Sequence, residues 1–91
     1  MLPLPKTVRI GKDTWRIVAT KCDVLGENYG ACLHDEKTIY VFDKPEHDDP
    51  VLLLATIAHE IIHARNKGLS EKATSETEAA IMEAARAVLY D

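Results

Sequence analysis

The first half of the chain alternates apolar and polar residues, which is the pattern of β-strands with one buried face. The alternation runs through residues 8–10 and 14–19, separated by a turn that contains Gly11, and it predicts a β-hairpin. It returns in residues 30–34 and 38–42, which are separated by three polar residues and predict a second antiparallel strand pair. The sequence therefore predicts two hairpins before any helix.

The second half of the chain changes to helical signals. Asp48-Asp49-Pro50 predicts a helix start, because an acidic side chain caps free backbone N–H groups and proline suits the first turn. Residues 51–64 are mostly apolar and contain no glycine or proline, and Lys67-Gly68 predicts the end of the helix. Because this segment is apolar nearly all round, we expect a buried central helix.

A second helix is predicted from about Ser70 or Thr74 to about Leu89, since this segment is rich in Ala, Glu and Met and has no helix breaker. Strands followed by helices are typical of an α+β fold. We therefore predict one domain over residues 1–91, with a small, mostly antiparallel sheet packed on two C-terminal helices. Residues 1–6 are expected to form an extended arm.

Residues 59–63, within the first predicted helix, read His-Glu-Ile-Ile-His, an H-E-x-x-H pattern. Residues four apart lie on one face of an α-helix, about 6 Å apart along its axis. His59 and His63 can therefore bind one metal ion, and the adjacent Glu60 can act as a general base. This is the core of a zinc hydrolase, so one Zn2+ ion is the predicted cofactor. The competing interpretation, two core histidines and a paired glutamate, is costly in an apolar helix.

Catalytic zinc usually has three protein ligands, so a third ligand is expected outside the motif. No histidine follows His63, which leaves a downstream carboxylate. The class of enzymes with a third histidine is excluded, because Asn66 and Leu69 stand where that class has glycine and histidine.

Helical periodicity selects Glu78 as this carboxylate. Glu78 lies three residues before Ile81 and four before Met82, so it continues the apolar face of the second helix towards its start. A competing interpretation is a capping box with Ser75, in which Glu78 would bond to the backbone of a helix that begins there. The alternatives for the third ligand are Glu76 and Glu83.

Composition argues against several classes of function. Hydrophobic content of 46% and charged content of 29% are typical of a soluble globular protein. A net charge of −4 without a Lys/Arg cluster argues against nucleic-acid binding, and no apolar run is long enough for a membrane span. The N-terminus lacks the apolar run of a signal peptide, so the cytoplasm is the expected compartment. In a reducing cytoplasm, Cys22 and Cys32 are expected to be free thiols.

Residues 58–64, together with the later pattern Glu78-x-Ala80-Ile81-x-x-Ala84-Ala85, resemble the zincin metallopeptidases. The chain looks most like small gluzincin-type proteins of bacteria and phages, near the ImmA/IrrE-like and SprT-like groups. The likeness covers most of the chain, and the H-E-x-x-H motif is its specific part. It implies that His59 and His63 bind zinc, that Glu60 is the catalytic base, and that a downstream glutamate is the third ligand. The best-known gluzincins have a spacing closer to Glu83 than to Glu78.

The predicted function is therefore zinc-dependent hydrolysis of a peptide bond in a peptide or protein substrate. One alternative is a catalytically weak or inactive zinc-binding regulatory module that acts with a protein partner, and another is a structural domain with an accidental motif. Residues 39–42 are either an exposed sheet edge that can pair with an extended peptide or a strand in the core of the sheet. Two histidines, expected near solvent, and three tyrosines are candidates to stabilise an oxyanion: His34, His47, Tyr29, Tyr40 and Tyr90.

Overall fold

The computed structural model describes residues 2–21 and 28–90 and has an α+β fold, as predicted. The element bounds are β1 Thr7–Ile10, β2 Asp13–Thr20, β3 Gly30–Leu33, β4 Thr38–Phe42, a short 3-10 helix Pro45–Asp48, α1 Pro50–Arg65 and α2 Glu71–Tyr90. Residues 2–5 have no regular secondary structure, and Leu4 packs against the core. Cys22 and most of the loop predicted over residues 23–29 lie outside the described residues.

The four strands form one sheet in the order β1-β2-β4-β3. Both predicted hairpins are confirmed, since β1 pairs antiparallel with β2 and β3 pairs antiparallel with β4. The two hairpins join through β2 and β4, which are parallel, with Ile17 opposite Ile39. The sheet is therefore mixed, although two of its three pairings are antiparallel.

The hydrophobic core lies between one face of the sheet and α1. Alternation along β2 and β4 directs every second side chain to this face. Trp15 of β2 is one of these side chains and lies in the core, as its position in the strand predicts. Ile39 and Val41 are completely buried. The buried core cluster consists of Trp15, Ile17, Ile39, Val41, Leu53 and Ile57.

Helix α1 begins where the sequence predicts. The Asp49 carboxylate accepts a hydrogen bond from the Val51 N–H at 2.8 Å, and Pro50 is the first helical residue. The helix is central in the fold but is not buried all round, because Leu52 and Leu54 are exposed. That part of the prediction is wrong, since the sheet and α2 cover only part of the helix surface.

Helix α2 starts earlier than a capping box at Ser75 would require. The Ser70 hydroxyl accepts a hydrogen bond from the Ala73 N–H at 3.1 Å, so Ser70 caps the helix. Met82 is buried as predicted, whereas Ile81 and Val88 are exposed. The face of α2 that is turned towards α1 therefore contains Glu78 and Met82 but not all of the apolar residues of the helix. Neither described helix combines the length and the apolar character that a bilayer crossing requires.

Candidate metal site on helix α1

The two histidines of the motif lie side by side on α1. Their ring centroids are 4.8 Å apart, and His59 Nε2 is 3.2 Å from His63 Nε2. Both rings are largely buried, with 19% and 21% of their side-chain surface exposed. The helical spacing predicted from the sequence thus brings two ring nitrogens to one point.

Two glutamates of α2 lie against this pair. Glu71 Oε1 is in very short contact with His63 Nε2, and Glu71 Oε2 is 3.4 Å from His59 Nε2. Glu78 Oε1 accepts a hydrogen bond from His59 Nδ1 at 2.9 Å. The donor atoms of His59, His63 and Glu71 all lie within 4.8 Å of one another, so they form a group that could hold a metal ion.

The sequence argument gave Glu71 no specific role. Glu71 is in the first turn of α2 and its side chain is 73% exposed, so apolar periodicity carries no signal for it. The signal that could have identified Glu71 is its closeness to His63 in the sequence. A short connection between two helices brings the end of the first helix next to the start of the second. The choice of Glu78 as third ligand stays a prediction, and its side chain does contact His59. The alternatives Glu76 and Glu83 are exposed and have no described contact with either histidine.

Glu60 differs from the other acids because it is buried, with 7% of its surface exposed. It lies where Gly30, at the start of β3, approaches α1. A Cβ atom added to Gly30 would be 2.8 Å from the Tyr40 carbonyl oxygen, 3.0 Å from Thr56 Cγ2 and 3.2 Å from Glu60 Cγ. Only glycine fits this position without a shift of the backbone, so Gly30 allows the strand to lie against Glu60.

The electrostatics of the acids follow from these surroundings. Burial raises the pKa of Glu60, and the neighbouring His59 and His63 act against that rise. Burial also acts to raise the pKa of Glu71, but the hydrogen bond to His63 and the charges of both histidines outweigh it and lower the pKa. The pKa of Glu60 is thus shifted up and the pKa of Glu71 is shifted down within the same cluster.

A cleft of about 240 Å³ opens beside His59 and Glu60. We call it the motif cleft. Tyr29 lines it, and its hydroxyl donates a hydrogen bond to Glu46 at 3.1 Å. The full lining is Asn28, Tyr29, Gly30, Thr56, His59, Glu60, Ser75 and Glu78. Tyr29 is therefore the candidate for oxyanion stabilisation that the structure places beside the motif.

The other candidates for that role have different surroundings. His47 is completely buried, contrary to the expectation of a solvent position, because its ring bonds to the Phe42 carbonyl at 2.6 Å and to Thr56 Oγ1 at 2.8 Å. His34 Nε2 donates to the His63 carbonyl at 3.0 Å. Tyr40 donates to Glu36 at 3.3 Å. The side chain of Tyr90 lies outside the described part of the chain.

Of the two interpretations of residues 39–42, core sheet is confirmed and an exposed sheet edge is wrong. β4 has β2 on one side and β3 on the other, so its backbone groups are paired. Among the described strands, β1 and β3 are at the two edges of the sheet, and β3 packs against α1. The strand that borders the motif cleft is therefore an edge strand, which the sequence did not identify because strand order is set by non-local pairing.

Comparison with protein-family models, with curated proteins and with solved structures found no match to this chain. Function is therefore argued from the site itself.

Proposed function

We propose that this protein is a zinc-dependent peptidase whose general base is Glu60. The observation that carries the proposal is the approach of His59 Nε2 and His63 Nε2 to 3.2 Å, with a carboxylate beside them. Two neutral imidazoles and a carboxylate are a common donor set for catalytic zinc, so these residues fit the metal. A carboxylate of α2, either the predicted Glu78 or Glu71, supplies the third donor. Zinc held there makes water acidic and polarises a carbonyl oxygen.

Glu60 supplies the proton transfer. Its carboxylate accepts the proton of the attacking water and passes it to the leaving amine of the cleaved bond. Burial raises the pKa of Glu60 towards neutrality, which is the direction that a group needs to both accept and return a proton. Tyr29 lines the motif cleft, and its hydroxyl would be the further donor to the developing oxyanion if it turned away from Glu46.

An extended peptide is the proposed substrate. β3 is an edge strand of the described sheet and its first residue, Gly30, lines the motif cleft, and a peptide can add to such an edge through backbone hydrogen bonds. Its scissile bond would then lie near Glu60, because Gly30 at the start of β3 lies against the Glu60 side chain. We also propose the reducing cytoplasm as the location, in keeping with the free thiol of Cys32.

The test is hydrolysis of a peptide library by the zinc-loaded protein, beside its Glu60→Gln variant. The variant keeps the size of the side chain and both proposed histidine ligands, so it should bind zinc normally. Removing a general base lowers rates by about 10²–10⁴-fold, so cleavage by the variant should nearly disappear. Equal cleavage by both proteins would contradict the role of Glu60.

The second candidate function is a zinc-binding regulatory module with little or no turnover. The observation that favours it is that two acids, Glu71 and Glu78, both contact His59. A site closed by four protein ligands is typical of structural zinc, whereas a catalytic site keeps one open position. Zinc binding by the wild-type protein without cleavage of any library peptide would favour this module.

A further inference from the structure

His59 has a carboxylate at each of its two ring nitrogens. Glu71 Oε2 lies 3.4 Å from Nε2, and Glu78 Oε1 lies 2.9 Å from Nδ1. The two glutamates are seven residues apart, which is close to two helical turns, so both face α1. The two nitrogens of one imidazole point in different directions. The carboxylate beside Nε2 and the carboxylate beside Nδ1 therefore cannot both bind a metal ion that is held by one of these nitrogens.

The spacing of the donor atoms identifies Nε2 as the metal side of His59. Two donors that are each about 2.0–2.1 Å from a tetrahedral zinc ion lie about 3.4 Å from each other. His59 Nε2 is 3.2 Å from His63 Nε2 and 3.4 Å from Glu71 Oε2, so both distances match this spacing. Glu71 Oε1 also contacts His63 Nε2, which puts the carboxylate next to both imidazoles.

The position of Glu78 matches a different role. A histidine that binds metal through one nitrogen usually donates its other ring N–H to a carboxylate or carbonyl, which fixes the tautomer and the ring orientation. The hydrogen bond from His59 Nδ1 to Glu78 Oε1 has this arrangement. A proton held at Nδ1 leaves Nε2 unprotonated and able to bind metal.

We propose, on the basis of the zinc site proposed above, that Glu71 is the third metal ligand and that Glu78 is a positioning residue for His59. This division of roles differs from the assignment predicted from the sequence, in which Glu78 binds the metal. In this assignment, a zinc ion would bind side chains from the last turns of α1 and from the first turn of α2. The Glu71 side chain, which is 73% exposed, can reach the ion from the solvent side.

The test is the zinc affinity of the wild-type protein, of three isosteric Glu→Gln variants and of Glu71→Ala, measured by competition with a chromophoric chelator. Glu78→Gln should lower affinity by about 10–100-fold, the usual effect of losing an outer partner of a metal ligand. Glu71→Gln should lower it further, and Glu71→Ala should do so at least as strongly because it removes the oxygen donor. Glu76→Gln, an exposed acid on the same helix, is the matched control and should bind zinc as wild type does.

Two spectra separate a ligand from a positioning residue. The visible absorption of the Co2+-substituted protein should change in Glu71→Gln and stay close to wild type in Glu78→Gln. In zinc-loaded wild-type protein, imidazole nitrogen NMR should show His59 bound through Nε2 and protonated at Nδ1.

The opposite pattern would overturn the assignment. A larger loss of affinity and a changed Co2+ spectrum in Glu78→Gln would make Glu78 the ligand. Unchanged zinc affinity in both Glu71 variants would show that Glu71 forms an ion pair with the histidines only. A wild-type protein that binds no zinc would instead overturn the proposed function, so the two failures are distinguishable.

Discussion

The two surfaces that pack on α1 differ in composition. On the sheet side, Leu53 and Ile57 meet fully buried residues such as Ile39 and Val41. On the α2 side, the contacts include glutamates that bond to His59 and His63, and Met82 is the buried apolar side chain among the described side chains of α2. The sheet interface thus supplies stability through apolar burial, and the α2 interface places polar groups at the motif.

The largest effect should come from a cavity in the sheet interface. Ile39 is completely buried, so Ile39→Ala should lower the free energy of unfolding by about 2–5 kcal/mol. The measurement is urea unfolding followed by circular dichroism. Leu33→Ala, on the neighbouring strand and 41% exposed, is the control and should have a much smaller effect. Similar losses of unfolding free energy in the two variants would show that the buried sheet interface is not the main source of stability.

A smaller effect is expected in the α2 interface. Met82 is 4% exposed and its neighbour Ile81 is 45% exposed, although the apolar pattern of the sequence put both on one face. Met82→Ala should therefore cost roughly 2 kcal/mol of unfolding free energy, near the lower end for a buried apolar residue. Ile81→Ala should cost less than about 1 kcal/mol. The reverse order would mean that α2 is rotated relative to α1.

The smallest effect is expected from Cys32, which lies in β3 and packs, partly buried, against the core cluster. Burial raises the pKa of its thiol to about 11, and the nearby Glu60 adds to this rise. At pH 9 the folded protein should then hold about 1% thiolate, against roughly half for an ordinary thiol, so alkylation by iodoacetamide should be ~50-fold slower. A Cys22→Ser background leaves one thiol to follow, and the same protein in urea is the control.

The raised pKa of Cys32 also determines how the stability of the protein changes with pH. A raised pKa means that the folded state keeps its thiol proton where the unfolded chain has lost it. The Cys32 contribution is therefore fully present below about pH 9 and is lost as the pH rises towards about 11. Native alkylation as fast as that in urea would show that β3 leaves the thiol exposed.

The features that the sequence predicted correctly depend on local chemistry. The start of α1 was predictable because the Asp49 cap and Pro50 act within one turn. The approach of His59 to His63 was predictable because helical geometry alone fixes the spacing of residues four apart. The strand pairs were predictable from alternation and short turns.

The features that the sequence did not predict depend on contacts between distant elements. The parallel pairing of β2 with β4 joins two hairpins that are each locally complete. His47 is buried because Thr56 and the Phe42 carbonyl bond to its ring, and no pattern around His47 signals this. Glu71 reaches the histidines because of the turn between the helices, whereas periodicity selects only residues on the buried face of α2.

Zinc binding by wild-type protein beside a His63→Ala variant tests the central claim most directly. Metal analysis after reconstitution and dialysis should find one zinc ion per wild-type chain and essentially none in His63→Ala, because the variant removes one of two paired imidazoles. Circular dichroism should show that the variant is folded, since His63 lies outside the buried core cluster. Equal zinc content in the two proteins, or none in wild type, would contradict a metal site built on His59 and His63.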